Sequence, residues 1–228
     1  ASGYRKDKIW LRRTKPAKRN YRVLVAVDDS ESMLKSGAGH MALQAMATLA
    51  IGMSHLEIGE IGIASFGNEM NLIHPFHTPF SSSSGANVVR NFRFDQQRTR
   101  IALCIESALK AMEDTPGERA SMQLVFIISD GRIERDSRST IRRLIREMVE
   151  KNILLVLIIV EGSEEKNSIM NMKEVTFTKG KPTVKRFIED YPFPYYILLS
   201  DMQALPEVLG DALRQWFEMV ARLQANRT

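Results

Sequence analysis

Residues 22–28, Arg-Val-Leu-Val-Ala-Val-Asp, form an apolar β-branched run without polar alternation, the pattern of a central strand covered on both faces. After a glycine-containing loop, apolar residues recur at 41, 42, 45, 46, 49, 50 and 53, the spacing of a helix packed on a sheet. Residues 58–66 read as a second strand, and Gly67-Asn68-Glu69 predicts a tight reversal into an antiparallel edge strand over 70–76. Periodicity lapses over 77–97, where Ser81-Ser82-Ser83-Ser84-Gly85 predicts a long loop with room for a short helix. A helix follows Thr99 as far as Met112, a strand spans 122–129, and a helix then turns Ile141, Leu144, Ile145 and Met148 inward. The apolar run 153–160 makes another strand, residues 195–200 a further one, and the spacing of Leu205, Val208, Leu209, Ala212, Leu213, Trp216, Phe217 and Val220 a closing amphipathic helix. Strands alternating with helices predict an α/β fold: a doubly wound, mostly parallel sheet with one antiparallel edge strand and helices on both faces.

Composition adds boundaries. The 228 residues suffice for one substantial core, placed at 21–225 behind a basic leader at 1–20. Residues 161–190 hold six acids and six bases and break the alternation, so they read as an insertion, on base rates a variable surface loop. The formal charge of +5 invites a nucleic-acid reading until it is divided along the chain. Residues 1–22 carry nine bases against Asp7 alone, which leaves the remainder at −3. A basic leader on a mildly acidic body is not the footprint of a groove-tracking domain, although the leader suits a nuclear-import signal or direct RNA contact. No apolar run reaches the length of a membrane helix. The lone Cys104, set among Ile101, Ile105, Ala108 and Leu109 at helical spacing, reads as a buried, inert thiol.

In a doubly wound sheet ligands gather outside the carboxyl ends of the strands. Asp28, Ser30 and Ser32 follow the first strand as Asp-x-Ser-x-Ser, Thr99 opens a helix 71 residues later, and Asp130 ends a strand 31 residues beyond that. Singly each has an ordinary explanation: Asp28, Ser30 and Thr99 can cap helices, and Asp130-Gly131 can make a turn. As an ordered set on three carboxyl-end loops they resemble the von Willebrand factor A family, whose metal-ion-dependent adhesion site uses this combination. The resemblance covers most of 20–225 and implies that Asp28, Ser30, Ser32, Thr99 and Asp130 hold an ion directly or through water. Hydroxyl, carboxylate and water oxygens suit magnesium, with manganese a workable substitute. An open position would take an acidic side chain from a partner, making binding dependent on the cation. Asp29 and Glu31 stand where many members have small residues; facing the ion, they would raise metal affinity and repel an acidic partner, and facing solvent they would matter little.

Within the family, Val-Ala-Val-Asp-Asp-Ser-Glu-Ser-Met at 25–33, Lys-Ile-Trp-Leu-Arg-Arg-Thr-Lys-Pro at 8–16, Phe-Pro-Tyr-Tyr at 193–196 and Leu-Arg-Gln-Trp-Phe-Glu at 213–218 resemble the C-terminal domain of a giant AAA ATPase of ribosome assembly. That resemblance implies a non-enzymatic, nuclear protein-binding domain whose partners are ubiquitin-like domains of pre-60S assembly factors, with ATP hydrolysis performed by other modules. No G-x-x-x-x-G-K-[ST] phosphate loop is present in the chain. The alternative is a magnesium-dependent phosphoryl-transfer hydrolase with Asp28 as nucleophile, although position 30 then holds Ser30 in place of a second acid. Arg132 and Arg135 are candidate partner-binding residues at the metal rim, while Arg138, Arg142, Arg143 and Arg146 read as a solvated helix face. The pair His74 and His77 flanks a proline and has little claim as a zinc site.

Overall fold

The computed structural model describes residues 21–55, 59–113, 122–162, 168–178, 181–211 and 214. The basic leader at 1–20 and most of the closing helix lie outside these residues. Six strands form the main sheet in the order β3-β2-β1-β4-β5-β8: β1 (Tyr21–Asp28), β2 (Gly59–Phe66), β3 (Met70–His74), β4 (Met122–Ser129), β5 (Ile153–Val160) and β8 (Tyr196–Leu199). Every pairing is parallel except β2 with β3.

β1 lacks polar alternation because each of its faces meets a core. Val23, Val25 and Val27 pack with Ala42, Ala45, Met46 and Leu49 of α2 (Ala38–His55). Leu24 and Ala26 face Cys104, Ile105 and Ala108 of α4 (Ile101–Glu113) and Ile141, Leu144 and Met148 of α5 (Arg138–Glu150). At roughly 1.5–3 kcal/mol per fully buried large aliphatic side chain, these two layers are the main reason the sheet holds. Cys104 is buried, and burial followed by the charge of Asp28 drives its thiol pKa far up, so it is inert. The chain leaves β1 toward β2 and β3, then crosses to β4 on the other side of β1. The carboxyl ends of β1 and β4 thus flank the switch point where such sheets bind ligands.

One expectation is filled in and two change. The 77–97 stretch holds α3 (Ser82–Asn91), a helix of 10 residues. Ser81 caps it by accepting from the Ser84 N–H while the Ser84 hydroxyl accepts from the Ser81 N–H, so the serine run starts the short helix for which the sequence left room. The 161–190 insertion contains an antiparallel hairpin, β6 (Lys173–Thr178) and β7 (Lys181–Arg186), and its Ile169 and Phe187 join the core beneath α4 and α5. It is therefore a packed element, not merely a surface loop. Finally, the arginines of α5 are not all a solvated face. Arg138 is 4% exposed, lies 4.7 Å over the Phe187 ring and donates to Glu174 at 3.0 Å and Asp190 at 3.4 Å. Arg142 also pairs with Asp190, so the excess positive charge of α5 clamps the insertion's acids. Leu205 is buried at the start of the final helix, whereas Val208 is 37% exposed. No helix among the described residues is long and apolar enough to cross a membrane.

Replacing Arg138 with Ala removes both the ring contact and the clamp, leaving Glu174 with Arg135 alone. The expected loss is about 1–3 kcal/mol in urea unfolding, with faster proteolysis within 161–190. An unchanged midpoint and digestion pattern would show that the clamp contributes nothing.

Candidate metal centre

Asp28 ends β1 with its side chain fully buried. The pairing of Val27 with Ile128 brings it beside β4, where the Ser129 hydroxyl donates to its Oδ2 at 2.7 Å. Its Oδ1 accepts from the Ser30 N–H at 3.0 Å. Burial outweighs these hydrogen bonds and, helped by the charge of Asp130, raises the Asp28 pKa to about 6. The sheet thus holds a desolvated carboxylate in need of positive charge.

Ser30 occupies the N-cap position of α1 (Glu31–Lys35), yet its side chain makes no capping bond. Its hydroxyl lies 3.0 Å from that of Ser32, so two oxygens that helix chemistry does not use sit together at the start of α1. Glu31 pairs with the exposed Lys35 one turn on. Asp29, in contrast, is 5% exposed and accepts backbone N–H groups from Arg93 at 2.9 Å and Phe94 at 2.6 Å. Of the two extra acids, one is thus in solvent and the other fixes a neighbouring loop.

That loop carries Thr99. Gln96 forms a parallel bridge with Ser30: its N–H donates to the Asp29 carbonyl at 3.2 Å and its carbonyl accepts from the Glu31 N–H at 2.8 Å. The Arg100 N–H donates to the Gly67 carbonyl at 3.0 Å. Thr99, half-buried between these two tethers, is thereby held on the carboxyl-end surface. Sequence reasoning missed Asp29, Gln96 and Ser129 as supports, because their roles are set by contacts 65, 28 and 101 residues away in the chain.

Asp130 follows β4, is 8% exposed and accepts the Arg132 N–H through Oδ1 at 3.1 Å. Its Oδ2 is buried without a hydrogen-bond partner; Arg132 Nε, at 3.6 Å, is too distant to supply one. The next residue, Gly131, has φ +77°, and a Cβ there would lie 2.9 Å from Ile169 Cδ1 and 3.0 Å from the Tyr191 hydroxyl. Tyr191, the residue after the insertion, donates to the Gly131 carbonyl at 2.8 Å, so the Asp130 loop rests on Ile169 of the insertion and on the residue that follows it. Of the two rim arginines, Arg132 leans on Asp130 and Arg135 pairs with Glu174 of the hairpin at 3.0 Å. His74 Nε2 lies 2.9 Å from the Thr78 carbonyl, an ordinary structural hydrogen bond.

An orphaned buried carboxylate oxygen, a second desolvated carboxylate and two hydroxyls in contact fit a small, hard divalent cation such as magnesium. Two carboxylates balance its charge while the hydroxyls add donors without further neutralisation. The arrangement is a poor one for a nucleophile, because Asp28 is fully buried and both its oxygens are already hydrogen-bonded.

Residues 23–132 match the von Willebrand factor type A domain, and the whole fold resembles solved structures of that kind. The conserved hypothetical protein BatB from Bacteroides thetaiotaomicron superposes with a TM-score of 0.56 at 16% identity, covering 87% of this chain and 99% of that one. The SpRpn10 VWA domain does so with 0.52 at 12% identity, covering 84% and 94%. The chain carries a von Willebrand factor type A domain. It is 40% identical to midasin of Dictyostelium discoideum over 98% of its own length, and 37% identical to midasin of Giardia intestinalis over 97%. It spans 4% and 5% of those two proteins.

The raised pKa of Asp28 has a thermodynamic consequence. Folding favours its protonated form, so the metal-free protein loses stability as pH rises from the unfolded-state value near 4 through about 6, and the penalty is complete above that. In chelator, Asp28→Asn should be more stable than wild type by roughly 1–3 kcal/mol at pH 8, with the gain gone below about pH 4. Denaturant titrations at several pH values check this; an Asn variant less stable at pH 8 would contradict it.

Proposed function

We propose that this domain is a magnesium-dependent protein-binding module whose partner supplies a carboxylate to the ion. The observation that carries the reading is the buried Oδ2 of Asp130, which has no hydrogen-bond partner, together with the Ser30–Ser32 hydroxyl pair and the desolvated Asp28. Asp28, Ser30, Ser32, Thr99 and Asp130 would hold the ion directly or through water, with manganese able to replace magnesium. The bound ion supplies a positive charge on which an external acid can dock. Two protein carboxylates leave the cation site near neutral, so an incoming carboxylate meets little repulsion from Asp28 and Asp130. Arg132, its side chain 45% exposed, stands beside Asp130 and can steer an acidic partner toward the centre. Arg135 is less free for that role because Glu174 already holds it.

Similarity to midasins over nearly the whole chain supports a more specific reading. The partners are ubiquitin-like domains of ribosome-assembly factors on pre-60S particles in the nucleus. The domain itself is not the catalytic part of that larger protein; ATP hydrolysis belongs to segments outside this chain. The basic leader, with nine bases in residues 1–22, suits nuclear import or contact with RNA.

The test is titration of the domain with a ubiquitin-like domain from a ribosome-assembly factor, in magnesium and in chelator. Removing the ion, replacing Asp28 with Ala, or changing the partner's acid to its amide should each weaken binding by at least about 2 kcal/mol, roughly 30-fold in Kd. Equal affinity in magnesium and chelator would reject the metal-bridged mode, and affinity lost only on deleting residues 1–20 would favour contact through the leader.

A further inference from the structure

We propose that Asp29 and Gln96 are positioning residues that hold the Thr99 loop in place for cation binding, and that Asp29 is not itself a ligand. The inference rests on the metal-dependent reading above. Asp29 immediately follows Asp28 and would be the obvious third carboxylate, yet its oxygens are turned to the 92–96 segment. Oδ1 accepts the N–H groups of both Arg93 and Phe94, and Oδ2 faces Gln96 Nε2 at 3.4 Å. Phe94 needs such restraint. Its φ is +53°, a left-handed backbone conformation that a residue with a bulky side chain seldom adopts.

Two absent side chains make the arrangement possible. A Cβ on Gly39 would lie 3.1 Å from the Phe94 ring, and one on Gly67 would lie 2.4 Å from Gln96 Oε1. Gln96 uses that space to accept the Asn68 N–H at 2.7 Å through Oε1 while its backbone pairs with Asp29 and Glu31. One glutamine therefore ties together the loops after β1 and β2 and the segment that leads to Thr99. The negative charge of Asp29 is spent on two backbone donors, which leaves Asp28 and Asp130 as the carboxylates for a divalent cation. A third acid in the shell would raise metal affinity at the cost of repelling the partner's carboxylate.

The experiment is manganese and magnesium titration by calorimetry of wild type, Asp29→Ala, Asp29→Asn, Gln96→Ala and Glu31→Ala, with amide exchange measured in chelator. Supports of this kind typically change metal affinity by about 10- to 100-fold. Asp29→Ala is expected to lose affinity in that range and to lose amide protection at Arg93 and Phe94, while β4 and β5 stay protected. Asp29→Asn retains an acceptor and should recover part of the affinity; Glu31→Ala should match wild type. If Asp29→Ala does not fold, Gln96→Ala carries the same test, with lowered affinity and a wild-type unfolding midpoint as the supporting result. Wild-type binding with Asp29→Asn and Gln96→Ala both within twofold of it would overturn this inference alone. A wild-type domain that takes up neither ion would overturn the proposed function, and this inference with it.

Discussion

Asp28 occupies the worst available place for a bare negative charge: the end of the central strand, fully buried, near a second carboxylate just beyond β4. Two hydrogen bonds, from Ser30 and Ser129, do not offset its desolvation, which is why its pKa rises to about 6. A core designed only for stability would place an apolar residue or an amide there. Retaining an acid at the switch point, next to hydroxyls that cap nothing and an aspartate oxygen that bonds nothing, makes sense if a cation completes the group.

The surroundings can be understood as support for that strained centre. Asp29 and Gln96 fix the loop on one side, and Gly67 leaves room for them. On the other, Tyr191 and Ile169 press on Gly131 and set the direction of the Asp130 loop. The insertion can do this because Arg138 and Arg142 hold its acids against α5, and because Phe187 and Ile169 reach the core. A chain of contacts thus runs from the helix behind the sheet, through the insertion, to one of the two carboxylates.

Much of this was legible in the sequence. The β-branched runs gave β1, β4 and β5 nearly to the residue, because strands buried on both faces leave no ambiguity of period. The Asp-x-Ser-x-Ser set and Asp130 were legible as well, since strand ends in a doubly wound sheet converge. What could not be read were long-range partnerships. The arginines of α5 look solvated until Glu174 and Asp190 are brought beside them, and the orientation of Asp29 is open until the Arg93 and Phe94 amides claim it. Each depends on which of several chemically equivalent acids the fold places within reach, and local pattern does not contain that information.

The most direct test of the central claim is anomalous scattering from crystals of the domain grown with manganese. One strong peak is expected at the carboxyl ends of β1 and β4, with the Ser30 and Ser32 hydroxyls at bonding distance, about 2.0–2.3 Å, and with Asp28 and Asp130 bound directly or through water. Crystals that show no peak there at saturating manganese, with the two hydroxyls still bonded to each other, would contradict it.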